Sequence, residues 1–210
     1  IAGTLATTNT ALTLNSATAV TTNSSIAAGS GTVTLGAATL SDGVTLTLGT
    51  GDSGAITATS FTGTASGSAS NVTFNVTGAV TVSGAIGTDI GTLTVTNSGG
   101  ATFSGAVGAS GAGNSVASIV LTATTGTVAF DGDLYATGIT NAGGNFNLNL
   151  FGTTTNVTNA VTFGTSGTVV FGNGADTLTF TGGLVHSAGP NSIAGTLATT
   201  NTALTLNSAT

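Results

Sequence analysis

Val80-Thr-Val-Ser-Gly-Ala-Ile-Gly87 and Ala101-Thr-Phe-Ser-Gly-Ala-Val-Gly108 are two versions of one phrase, set 21 residues apart. Its kernel is a large apolar residue, a spacer, Gly, a spacer and another apolar residue. The kernel recurs in Phe61-Thr-Gly-Thr-Ala65, Phe130-Asp-Gly-Asp-Leu134 and Phe180-Thr-Gly-Gly-Leu184. The steps from Phe61 to Val82, Phe103 and Phe130 are 21, 21 and 27 residues, and the next, to Phe180, is 50, room for two. A period in this range marks a repeat architecture whose units cannot bury an apolar face alone. The spacing predicts one inward column of Phe61, Val82, Phe103, Phe130 and Phe180, with Gly63, Gly84, Gly105, Gly132 and Gly182 at the corners.

Between the kernels the chain alternates apolar residues with Thr, Asn or Ser, as in Val44-Thr-Leu-Thr-Leu48, Asn71-Val-Thr-Phe-Asn-Val76, Thr92-Leu-Thr-Val-Thr96, Asn145-Phe-Asn-Leu-Asn-Leu150 and Asp176-Thr-Leu-Thr-Phe180. Period-two alternation in short runs bounded by Gly, Asn and Ser is the pattern of half-buried strands. Thr, Gly and Asn are poor helix formers, and no stretch has helical periodicity. The expected fold is therefore all-β, a parallel β-solenoid of about eight rungs of roughly 24 residues per unit. An outer-membrane β-barrel also alternates, but it places aromatic girdles at the membrane interfaces. This chain has no Trp and one Tyr.

A longer period overlies the short one. Ile1-Ala-Gly-Thr-Leu-Ala-Thr-Thr-Asn-Thr-Ala-Leu-Thr-Leu-Asn-Ser-Ala-Thr18 returns letter for letter at residues 193–210, an offset of 193 − 1 = 192 residues. Residues 1–192 are thus expected to form one solenoid unit and residues 193–210 the start of the next, within a tandem array of a longer protein.

Composition limits function. There is no Lys or Arg, six Asp or Glu and a net charge of −6, and charged residues make up 3% of the chain, against roughly 25% in ordinary domains. Without cations the chain cannot neutralise phosphates, which argues against nucleic acid as a partner, and it has no polybasic attraction for anionic membranes. Apolar residues at 40% and a mean hydropathy of +0.49 separate it from disordered low-complexity segments, which are typically poor in apolar residues and highly charged. Absence of Cys removes disulfides and thiolate metal sites.

Few side chains carry chemistry. Asp42, Asp52, Asp89, Asp131, Asp133 and Asp176 are scattered, and no cation stands ready to assist a carboxylate in proton abstraction, so no enzyme and no cofactor are expected. Asp131 and Asp133 lie two apart and would share one strand face. Such a pair suits a hard cation like Ca²⁺, which asks for six to eight oxygens; a solvated turn is the simpler reading. Gly172-Asn-Gly-Ala-Asp-Thr-Leu178 is similar to one calcium-binding nonapeptide, with Phe171 in place of its first Gly and no second copy, which makes Asp176 a further weak metal candidate. His186 lacks a His or Cys partner and reads as a loop residue near Pro190. The pairs Thr45/Thr47, Thr92/Thr94 and Thr177/Thr179 would stack into outward ranks, the basis of an alternative function as an ice- or surface-binding solenoid.

The runs Gly31-Thr-Val-Thr-Leu35, Gly91-Thr-Leu-Thr-Val95 and Gly126-Thr-Val-Ala-Phe130, with their Asn and Gly turns, resemble the repeat regions of filamentous-haemagglutinin-like and autotransporter-type bacterial surface adhesins. The resemblance implies a secreted, extracellular or cell-surface solenoid: a fibre, sheath or adhesin shaft. Its expected partners are further copies of itself, other fibres or a surface, without insertion into a membrane.

Overall fold

The computed structural model describes residues 1–65 and 67–206; the final four residues of the second 18-residue copy lie outside them. The fold is an all-β parallel β-solenoid of about ten turns of roughly 21 residues. Each turn crosses two long sheets. The first runs in order through Thr4–Ala6, Ser24–Ala27, Thr45–Asp52, Ser70–Val76, Ile90–Thr96, Val116–Thr122, Leu134–Asn141, Thr154–Val157, Thr177–Phe180 and Thr196–Thr199. The second runs through Leu12–Leu14, Val33–Leu40, Ile56–Gly63, Val80–Val82, Ala101–Phe103, Thr127–Phe130, Asn147–Leu150, Val169–Phe171 and Asn191–Ile193, with Thr18–Val20 also on Val33–Leu40. A three-stranded sheet of Val161–Phe163, Leu184–His186 and Leu204–Leu206 closes the later turns.

Alternation decides which side chains enter the core. In Ser70–Val76 every second residue is buried, and Val72, Phe74 and Val76 point inward while Asn71, Thr73 and Asn75 do not. Register then stacks like on like. Leu46, Val72, Leu93, Ile119 and Ile139 form one file across the first sheet. All are buried, and each such side chain contributes about 1.5–3 kcal/mol of burial. Phe103 lies on Phe130 with ring centroids 5.1 Å apart and planes 16° apart, close to the strand spacing itself.

The kernels divide among files, which corrects the single column expected from spacing. Val82, Phe103 and Phe130 are register partners in the second sheet, in a file that continues through Leu150, Phe171 and Ile193. Phe61 belongs to a different file, with Ala38 below it and Ile86, Val107 and Leu134 above. Phe180 stacks on Val157 in the first sheet. All five side chains are buried. The turn length, roughly 21 residues rather than 24, differs for a related reason. The 50-residue step mixes two files, and the 27-residue step contains an insertion. Between the register partners of Leu134 and Ala136, which have one residue between them, the preceding rung runs from Val107 to Val116 with eight.

Glycines mark two corners where neighbouring rungs touch backbone to backbone. Gly84, Gly105, Gly132 and Gly152 follow the second sheet, and a Cβ on any of the last three would collide with the glycine below it. A second ladder, Gly31, Gly54, Gly78, Gly99 and Gly126, precedes that sheet; a Cβ on Gly78 would sit 2.5 Å from the Gly54 carbonyl oxygen. Gly63 instead ends a strand against Asp89, and Gly182 packs on the backbone of Asn159 and Ala160 at another corner.

The two copies of the repeat occupy different positions around the rod. Followed upward, Leu5 stacks under Ile26, Leu48, Phe74, Val95, Leu121 and Asn141. Followed downward, its counterpart Leu197 stacks over Leu178, Thr155 and Leu134. Both files end in the strand Leu134–Asn141, 141 − 134 = 7 residues apart, one third of a 21-residue turn.

Close backbone packing makes a direct prediction. Gly78→Ala should lower stability by about 1–3 kcal/mol, the cost of overpacking. Gly174→Ala, whose Cβ meets nothing within 4 Å, should stay within about 0.5 kcal/mol of the parent. Denaturant melts of the two variants make the comparison.

Candidate functional site

Three of the six carboxylates, Asp52, Asp133 and Asp176, act on the solenoid's own backbone. At corners the chain leaves the ladder, and N–H groups there need other acceptors. Asp52 Oδ2 accepts from the Ala28 and Gly29 N–H groups at 2.8 and 3.1 Å. Asp133 Oδ1 accepts from Thr154 N–H at 2.9 Å, and Asn23, Asn71 and Asn147 do the same for Thr45, Thr92 and Thr168 at 2.8, 3.0 and 2.9 Å. The donor in each of these four pairs lies 21 or 22 residues further along, one turn on. Asp176, 7% exposed, accepts from Asn173 N–H at 2.7 Å and so closes the turn that resembled a calcium nonapeptide.

The metal candidates are not brought together. Asp131 is exposed while Asp133 holds the next rung, and among the described residues no group of three or more His, Asp or Glu side chains converges. His186 is a fully buried strand residue rather than a loop residue. Its ring packs edge-on to Phe163 at 6.5 Å, its register partner below. Nε2 lies 3.1 Å from the Thr165 carbonyl and Nδ1 2.6 Å from the Asn191 side chain. Both ring nitrogens therefore face oxygen atoms, the Thr165 carbonyl and Asn191 Oδ1.

A threonine rank longer than the sequence pairs indicated lies on the second sheet, while the pairs themselves stack on the first. Thr13, Thr34, Thr57, Thr81 and Thr102 stack in register over five successive rungs of the second sheet, facing outward. On the first sheet Thr47, Thr73 and Thr94 stack, with Thr45, Asn71 and Thr92 beside them. Val120 ends the first of these files and Ser118 follows Thr92 in the other.

One concave feature of the surface is a cleft of about 360 Å³ beneath the inserted residues 109–115. The inserted loop closes on itself: Ala109 N–H donates to the Asn114 carbonyl at 3.0 Å, and Asn114 Nδ2 to the Ser110 carbonyl at 3.1 Å. Its floor is made by Tyr135, Thr137, Asn156 and Thr158 from the next two rungs, with Tyr135 and Asn156 in register. Sequence reasoning missed this site, although the 27-residue step was its trace.

Comparison with protein-family models, with curated proteins and with solved structures finds no match for the chain.

Asp133→Ala should cost about 1–2 kcal/mol by orphaning the Thr154 N–H, and Asp131→Ala should change stability by less than about 0.5 kcal/mol. Equal losses in thermal melts, or a Ca²⁺-dependent rise in Tm that Asp131→Ala abolishes, would return the pair to the metal candidates.

Proposed function

We propose that this chain is a structural, non-catalytic segment of an extracellular or cell-surface fibre, sheath or adhesin shaft, of the kind its resemblance to filamentous-haemagglutinin-like and autotransporter-type repeats suggests. One observation carries the reading: the parallel ladder is unbroken along the rod in both long sheets, so tension along the axis is shared among backbone hydrogen bonds at every rung. The absence of Lys and Arg suits an exposed material, since trypsin-like proteases find no cleavage site. The dispersed carboxylates, three of the six occupied as backbone acceptors, support a non-catalytic role. The barrel alternative is not supported, because barrel strands are antiparallel and turn apolar residues outward, whereas every strand pair here is parallel around an apolar interior.

The partner is a further copy of the same unit. Leu5 and Leu197 stand one third of a turn apart, so a 192-residue unit spans eight and two-thirds turns rather than a whole number. At about 4.8 Å per rung, consecutive units would rise by about 42 Å and rotate by about 120°, and three units would complete a true repeat of about 125 Å. Cryo-EM of a protein with four or more tandem units should show this threefold screw. Units related by pure translation of about 42 Å would reject it, and the lack of any axial 4.8 Å signal would reject the shaft altogether.

The five-rung Thr file favours a second reading, a solenoid that binds ice or another ordered surface through its second sheet. Thermal hysteresis of the soluble chain, lost in Thr57→Leu with Thr81→Leu, is the expected result under that reading. Freezing indistinguishable from that of a neutral control protein removes it.

A further inference from the structure

We propose that the cleft under residues 109–115 binds a neutral saccharide, a pyranose unit seated against Tyr135. The site does not rest on the shaft reading.

The first argument is that the loop is surplus to the fold. Leu134 reaches Ala136 across one residue, whereas their partners Val107 and Val116 are separated by eight. The ladder is complete on either side, so the extra residues contribute an overhang rather than a rung. Insertions of this kind on a solenoid collect on binding faces. The overhang is pinned by its own hydrogen bonds, so the cleft is preformed.

The second argument is the chemistry of the lining. Tyr135 is the only Tyr in the chain and is half-buried at the floor. Tyr presents an apolar ring and a polar tip, the combination that suits a surface apolar on one side and hydroxylated on its rim. A pyranose has C–H groups on its faces and hydroxyls at its edge. Among the described residues, the side chains of Tyr135, Thr137, Asn156 and Thr158 make no hydrogen bond within the protein. Hydroxyl and amide groups are thus left to bind a ligand while an aromatic face orients it, and the volume falls within the usual range for small-molecule sites. No charged side chain lines the cleft, so a charged ligand would give up hydration without gaining a counter-charge.

The chain has one Tyr and no Trp, so its intrinsic tyrosine fluorescence reports on the cleft alone. The protein is titrated with methyl glycosides of glucose, galactose, mannose and N-acetylglucosamine, and with methyl glucuronoside as the charged probe. At least one neutral probe should give a saturable change with a dissociation constant in the millimolar range. That affinity should fall at least tenfold in Asn156→Ala and in a variant lacking residues 110–114, with Thr57→Ala on another face unchanged. Asn156 is exposed and makes no internal hydrogen bond, so its variant should keep the parent circular dichroism and melting curve. Saturation by none of the neutral probes overturns the proposal. Binding undiminished by both cleft variants, or glucuronoside binding as tight as the best neutral probe, overturns it as well.

Discussion

Parallel backbone pairing between rungs is the constraint from which the rest of this structure follows. Every rung lies one strand spacing, about 4.8 Å, above the one before. In the sheets this distance suits side chains, because identical positions stack at van der Waals contact, as Phe103 does on Phe130. At the corners that follow and precede the second sheet it leaves less room, and at the ladder glycines neighbouring backbones come too close for a Cβ. The two glycine ladders are the consequence. Elsewhere at the corners, where the N–H groups lose their ladder partners, Asn and Asp side chains of the adjacent turn accept from them.

The same constraint explains a surface almost without charge. Outward positions one rung apart are close neighbours, and like charges stacked at that distance repel. Thr stacks without repulsion, and its β-branched shape suits a pleated surface. The five-rung file from Thr13 to Thr102 is the clearest case. The buried polar residues are exceptions of two kinds. His186 is held on both ring nitrogens. Thr155 stands between Leu134 and Leu178 with a hydroxyl that finds no partner, an uncompensated cost at one position of an otherwise apolar file.

One sequence at two angular positions shows how permissive the interior is. In the first copy Leu5 pairs with Ile26 in the first sheet, and in the second Leu197 pairs with Leu178 a third of a turn away. Leu5 and Leu197 are half-buried in either place, because what an inward position requires is an apolar side chain at the right pleat, not a particular neighbour. A tandem unit can therefore wind around the axis without losing its core.

The class of fold, and the inward or outward direction of side chains in the alternating runs, are legible in the sequence alone. Period-two alternation is local, so it can be read from Ser70–Val76 or Ile90–Thr96 in isolation, and recurring glycines announce turns wherever they fall. The identity of residues 1–18 and 193–210 needs no structure either. Which residues share a file was decided only by the tertiary structure. Register depends on the number of residues spent at each corner, and corners absorb insertions freely, as the eight residues between Val107 and Val116 show. For that reason Phe61 and Phe180 left the expected column, a turn takes roughly 21 residues rather than 24, and the ladder from Gly31 to Gly126 went unseen. The cleft had the same origin: its loop and its floor come from three successive turns, and only the stacking of those turns puts Asn156 beside Tyr135 beneath residues 109–115.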